Sequence, residues 1–148
     1  MQASSPTRTR SGVQLAREAT MGRTFRGHIL LVEDDPSLAR LEVGFLMAHG
    51  YIVTLVEDGE LALTTLREII PDLVLLDLDL PGTASGWDVL KALRAYAGTS
   101  TTPVLLTSAE ATAQKQLRTR GETRSTLDHL PKPYPIQTLL KRIERMLT

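Results

Sequence analysis

From residue 27 onward, short apolar runs alternate with stretches in which apolar residues recur every three or four positions. His28-Ile-Leu-Leu-Val-Glu33 predicts a buried strand. Asp34-Asp35-Pro36 follows, an N-cap candidate with proline at the first helical position. Leu38, Leu41, Val43, Phe45 and Leu46 then keep helical spacing until Gly50 closes the helix. Tyr51–Val56 predicts a second strand, ending at Asp58-Gly59, and Leu61, Leu63, Leu66, Ile69 and Ile70 predict a second helix stopped by Pro71. Asp72-Leu-Val-Leu-Leu-Asp77 reads as a third strand, apolar enough to be covered on both faces. Gly86 to Ala97 predicts a third helix with Val89, Leu90, Leu93 and Tyr96 inward, and Pro103-Val-Leu-Leu-Thr-Ser108 a fourth strand. A weakly amphipathic helix over 110–120 and a short strand over Leu127–Leu130 come next. The last helix runs from Pro135 to Leu147 with Ile136, Leu139, Leu140, Ile143 and Leu147 inward.

Five strands alternating with five helices through short connections imply an α/β fold, a doubly wound five-stranded parallel sheet with helices on both faces. In such sheets ligands bind beyond the carboxyl ends of the strands, where the strand order reverses. The polar residues there decide the chemistry. The first strand ends in Glu33-Asp34-Asp35, the third in Asp77 followed by Asp79, and the fourth in Thr107-Ser108; the fifth is followed by Lys132-Pro133. Carboxylates crowded at one rim raise one another's pKa unless a cation joins them. An oxygen-only donor set favours a hard ion, Mg²⁺ first. A lysine and a hydroxyl beside it suit phosphoryl oxygens, so the set describes phosphoryl transfer to a carboxylate.

Composition narrows the field further. The 148 residues contain no cysteine, which excludes a disulfide framework and thiolate chemistry. No apolar run approaches the roughly 20 residues that span a bilayer. The 17 basic and 17 acidic residues balance overall. Residues 1–26 nevertheless carry Arg8, Arg10, Arg17, Arg23 and Arg26 against Glu18 alone. This stretch is read as a disordered basic tail ahead of a domain over 27–148, with Met21 as a second candidate start. A nucleic-acid-binding arm and a transit peptide compete with that reading.

The pieces Ile29-Leu-Leu-Val-Glu-Asp-Asp-Pro36, Asp72-Leu-Val-Leu-Leu-Asp-Leu-Asp-Leu-Pro-Gly82, Ser85-Gly86-Trp87, Pro103-Val-Leu-Leu-Thr-Ser-Ala109 and Leu130-Pro-Lys-Pro133 occur in this order. Together they make the chain resemble the receiver domain of two-component response regulators, across residues 28–147. The resemblance implies a flavodoxin-like sheet of order 2-1-3-4-5. It implies that Asp77 accepts phosphate from a histidine kinase or histidine phosphotransfer protein. Glu33 and Asp34 would hold Mg²⁺, Asp34 directly and Glu33 through water, with the Asp79 backbone carbonyl and Asp77 completing the set. Ser108 and Lys132 would each take a phosphoryl oxygen, and the Lys132-Pro133 bond would be cis. His129 falls where the family usually places tyrosine or phenylalanine as a rotating switch.

Each assignment has a plainer counterpart. Asp35 reads as a helix cap and is left out of the metal set. His129 is equally a partly buried imidazole without a switching role. Trp87 reads as packing, and Arg118, Arg120 and Arg124 as a solvated face in preference to a docking patch. Residues 118–128 lack the Gly-Ala-Asp-Asp turn usual in the family. Asp79 and Glu110, two residues beyond Asp77 and Ser108, add negative charge where it either slows phosphoryl attachment or directs a water.

The expected function is a cytoplasmic, stand-alone phosphoacceptor switch, not an enzyme acting on a separate substrate. It would signal by contact with a downstream protein as a monomer or weak dimer, without membrane or nucleic-acid binding. A phosphorylation-independent interaction module is the alternative. A phosphatase of the haloacid dehalogenase type shares the Asp77-Leu-Asp79 spacing, but Pro81 stands where that motif wants threonine or valine.

Overall fold

Leu30, Val32, Val74, Leu76, Val104 and Leu106 pack on one face of a sheet, and Ile29, Leu31, Leu73, Leu75 and Leu105 on the other. This period-two division explains why the first, third and fourth strands are buried from end to end and mostly apolar: each meets a helix layer on both sides. The computed structural model describes residues 25–109, 113, 116, 117 and 120–148. The elements are β1 (Gly27–Val32), α1 (Pro36–Ala48), β2 (Tyr51–Val56), α2 (Gly59–Thr65), β3 (Leu73–Asp77), α3 (Gly86–Ala95), β4 (Val104–Ser108), β5 (Leu127–Pro131) and α4 (Ile136–Met146). All strands are parallel, in the order β2-β1-β3-β4-β5. Leu46 of α1 and Leu139, Leu140, Ile143 and Met146 of α4 cover one face. Ala62 of α2 and Val89, Leu90 and Leu93 of α3 cover the other. The expected helix over 110–120 lies largely outside the described residues, although Ala113, Gln116 and Leu117 are helical.

Four expectations are corrected. In α1 the buried stripe is Ala39, Glu42 and Leu46, while Leu41 is 56% exposed. A glutamate fills a core slot because the Tyr134 hydroxyl reaches it. The helix expected to continue to Pro71 ends at Thr65, and Leu61 and Ile70 are exposed. There the Thr64 and Thr65 hydroxyls bond back to the carbonyls of Glu60 and Leu61, which competes with a further turn. Helix α3 stops at Ala95 and not Ala97; Tyr96 leaves it in an extended conformation and turns outward.

The helix starts are fixed locally. Asp35 caps α1, its side chain accepting the N–H groups of Ser37 and Leu38 with Pro36 just inside. Ser85 and Asp88 form a capping box on α3. Glu60 of α2 accepts from the Thr83 and Ala84 N–H groups and from the Thr83 hydroxyl, which ties down the β3–α3 loop. These bonds, led by the hydroxyl's, hold its carboxyl down at about 2. Arg26 pairs with Glu144 and lies over the Tyr51 ring, so the start of β1 is fastened to α4 and β2.

Two glycines make opposite predictions. A Cβ on Gly86 would lie 2.5 Å from the Asp77 carbonyl oxygen and 2.6 Å from the Leu78 Cα. Gly86→Ala is expected to cost about 1–3 kcal/mol in urea unfolding. Gly44, in α1, has nothing within 4 Å of that position. Gly44→Ala should therefore gain about 0.5–1 kcal/mol by the same measurement.

Candidate functional site

The chain passes from β1 outward to β2 and then returns to β3 on the other side of β1, so the strand order reverses between β1 and β3. Val32 pairs with Leu76, and one further step brings Glu33 beside Asp77 at the carboxyl ends. Both are only 2% exposed, whereas Asp34 is open to solvent. Carboxylate oxygens of Glu33, Asp34 and Asp77 lie within 4.8 Å of one another. Lys132, at the end of β5, inserts its Nζ between two of them, 3.0 Å from Glu33 Oε1 and 3.1 Å from Asp77 Oδ2. The Lys132-Pro133 bond is cis, and the Lys132 N–H donates to the Ser108 carbonyl, joining the ends of β4 and β5.

One ammonium among three carboxylates leaves the site electronegative. Burial is the largest influence on Glu33 and raises its pKa to about 7; Asp77 adds to the rise, while the Asp35 N–H and Lys132 oppose it. Burial disfavours charge on Lys132, but its bonds to Glu33 and Asp77 outweigh that and raise its pKa. Two carboxylates buried against one cation, with a third exposed beside them, form an oxygen-only donor set that suits a hard divalent cation. Asp35 stands outside the set as the cap, while its backbone N–H donates to Glu33 Oε2.

The other expected residues are also at this rim. Ser108 is buried at the end of β4, where it pairs with Pro131. Asp79 donates its N–H to Asp77 Oδ1, and its side chain accepts the Ala109 N–H. His129, 4% exposed on β5, has no hydrogen-bond partner for either ring nitrogen among the described residues. Burial, the largest cause, holds its imidazole below its ordinary pKa. Trp87 packs against the core. Arg120 lies 3.9 Å from Glu122, and Arg124 is exposed. Arg118 and Glu110, and residues 1–24 of the expected tail, lie outside the described residues.

Two residues escaped the sequence reading, one at the pole opposite the site and one beneath it. Arg94, in α3, pairs with Glu122 and donates to the carbonyls of Thr99, Thr102 and Thr126, fastening the segment before β5 that lacks the usual turn. Glu42 is 1% exposed and accepts from Tyr134 at 3.1 Å; its Oε1 has no partner among the described residues. No short-range pattern announces either, since Glu122 and Thr126 for Arg94, and Tyr134 for Glu42, are distant in the chain.

The comparisons with known proteins agree with this arrangement. A model of the response regulator receiver domain matches residues 29–144. The chain belongs to this family. It is 40% identical over 124 residues to the DNA-binding response regulator MtrA of Mycolicibacterium smegmatis, covering 84% of this chain and 52% of that protein. The transcriptional regulatory protein BaeR of Escherichia coli is 34% identical over 119 residues, covering 80% of this chain and 47% of that protein. The chain thus spans about half the length of these curated relatives. The chemotaxis response regulator CheY4 of Vibrio cholerae superimposes with a TM-score of 0.72 at 28% identity, covering 83% of this chain and 99% of that one. The receiver domain of the sensor histidine kinase PA1611 of Pseudomonas aeruginosa does so with a TM-score of 0.69 at 28% identity, covering 82% and 97%. That structure has a magnesium ion coordinated in its active-site cleft. This receiver domain is accordingly a phosphoacceptor signalling module of two-component systems. Among its described residues no helix is long and apolar enough to cross a membrane.

Glu42 makes receiver stability depend on pH. Burial pushes its carboxyl up to about 7, against the opposing Tyr134 hydrogen bond. An acid with a raised folded-state pKa stabilises the fold below its unfolded value, and that contribution is lost as pH rises toward 7. Between about pH 5 and about pH 8 the wild type should lose roughly 2 kcal/mol relative to Glu42→Gln in urea unfolding.

Proposed function

We propose that Asp77 accepts a phosphoryl group from a histidine kinase or histidine phosphotransfer protein in an Mg²⁺-dependent step. The observation that carries this reading is the placement of Asp77: buried at the reversal of strand order, beside Glu33 and Asp34, with Lys132 at 3.1 Å. An Asp77 oxygen attacks phosphorus, and the O–P bond forms as the P–N bond to the donor imidazole breaks. The proton needed by the departing imidazole comes from solvent or from the donor protein. Mg²⁺, held by Asp34, Asp77 and the Asp79 carbonyl, with Glu33 through water, would supply charge neutralisation to the transferring group. Lys132 takes a second phosphoryl oxygen once it releases an aspartate oxygen, and the Ser108 hydroxyl takes a third.

The output follows from the same contacts. Phosphate at Asp77 draws Ser108 toward it, and the β4 and β5 ends are joined through the Lys132 N–H. His129 lies on the coupled strand with nothing but packing to hold its ring among the described residues, which suits a side chain that changes position. Signalling then proceeds by contact with a downstream protein.

Two experiments test this reading. Intact mass after incubation with acetyl phosphate should show one Mg²⁺-dependent phosphoryl adduct in the wild type and none in Asp77→Asn. An adduct of equal yield on the mutant removes Asp77 from the role. Asp34→Ala should weaken Mg²⁺ binding by about tenfold or more, followed through the fluorescence of the single tryptophan, Trp87. Unchanged affinity excludes Asp34 as a ligand.

A further inference from the structure

The Asp79 side chain is committed to a neighbouring strand end, away from the acidic cluster. Its backbone N–H donates to Asp77 Oδ1 at 2.8 Å, and its Oδ2 accepts the Ala109 N–H at 3.0 Å. Strand register explains the meeting. Asp77 pairs with Thr107, and the Leu78 N–H continues the ladder to the Thr107 carbonyl. The chain therefore leaves β3 and β4 side by side, and the backbone at 109 comes to the rim beside Asp77.

A phosphoryl group extends Asp77 by a phosphorus and three oxygens, brings a charge of about −2 and needs several donors. Hydrogen bonds place three N–H sources around the Asp77 carboxylate: the Asp79 N–H, Lys132 Nζ and, one residue removed, the Ala109 N–H. The first two already serve Asp77. The third serves the Asp79 carboxylate, an anionic acceptor of the same kind as a phosphoryl oxygen.

We propose that the Asp79 side chain is a built-in competitor of the phosphoryl group, its carboxylate holding the Ala109 N–H that a phosphoryl oxygen on Asp77 would otherwise take. The proposal rests on the phosphoacceptor reading of Asp77 and decides between the two effects that an acid at position 79 admits. Attachment of the phosphoryl group displaces the Asp79 carboxylate, which then remains nearby as a like charge. Both consequences act in one direction: they disfavour the phosphorylated form. A carboxylate that merely braced the β3–α3 loop against β4 would act oppositely, since losing it would loosen the pocket and weaken anion binding.

The test uses the full chain with saturating Mg²⁺ and beryllofluoride, read by Trp87 fluorescence, on wild type, Asp79→Asn and Asp79→Ala. Asp79→Asn keeps an acceptor for the Ala109 N–H and removes the charge; Asp79→Ala removes both. The expected result is at least fivefold tighter beryllofluoride binding in Asp79→Ala, with Asp79→Asn between it and the wild type. The acetyl phosphate adduct should also decay several-fold more slowly in both variants. Affinities within twofold of the wild type, or weaker, overturn the competitor role. If the wild type meanwhile forms its Asp77 adduct, the phosphoacceptor reading survives that result. Absence of both the adduct and any beryllofluoride response in all three proteins overturns both.

Discussion

A single ammonium group holds the rim of this receiver together. Lys132 Nζ lies about equally far from Glu33 Oε1 and Asp77 Oδ2, two carboxylates that burial would otherwise set against each other. Buried charges at such spacing persist only when paired and hydrogen-bonded. Glu33 has a further donor in the Asp35 N–H, and Asp77 has one in the Asp79 N–H. The loops after β1 and β3 and the turn after β5 are thereby joined through charge rather than through apolar packing. A divalent cation held by Asp34 and Asp77 would relieve the same crowding of carboxylates that Lys132 now relieves alone.

The sheet makes this possible by separating tasks along its length. Apolar side chains fill both faces of β1, β3 and β4 until the last residue or two, where the helix layers no longer demand them. In β3 and β4 the acid and hydroxyls stand at the carboxyl ends, and the helix N-termini that follow are held close. Gly86 lets α3 begin against the Asp77 carbonyl, and Glu60 of α2 holds the intervening loop. The positioning of a few carboxylates thus rests on loops tied down by Glu60 and on a helix start that only glycine permits.

Most of the strands and the acidic rim were legible in the sequence because both depend on near neighbours. Apolar runs of strand length, a proline after a capping aspartate and acids at the ends of the first and third strands are local signals. The expected set of Glu33, Asp34, Asp77, Asp79, Ser108 and Lys132 does converge at one end of the sheet. What escaped depends on distant pairings. Glu42 counts as polar in any helical pattern, and only Tyr134, far along the chain, makes it a core residue. Tyr96 looked buried by spacing until the helix ended one residue before it. Arg94 substitutes, through bonds to Glu122 and three carbonyls, for a turn whose absence the sequence did reveal.

The Arg26–Glu144 pair carries a consequence for the layout of this domain. It fastens the residue before β1 to the last helix, so the polypeptide enters and leaves at one pole. That pole is the amino end of the strands, opposite Asp77, and is separated from it by the length of a five- or six-residue strand, roughly 17–20 Å. The described chain therefore begins and ends away from the acidic rim. The mouth of the site and the place where the chain enters and leaves the folded domain are thus at opposite poles.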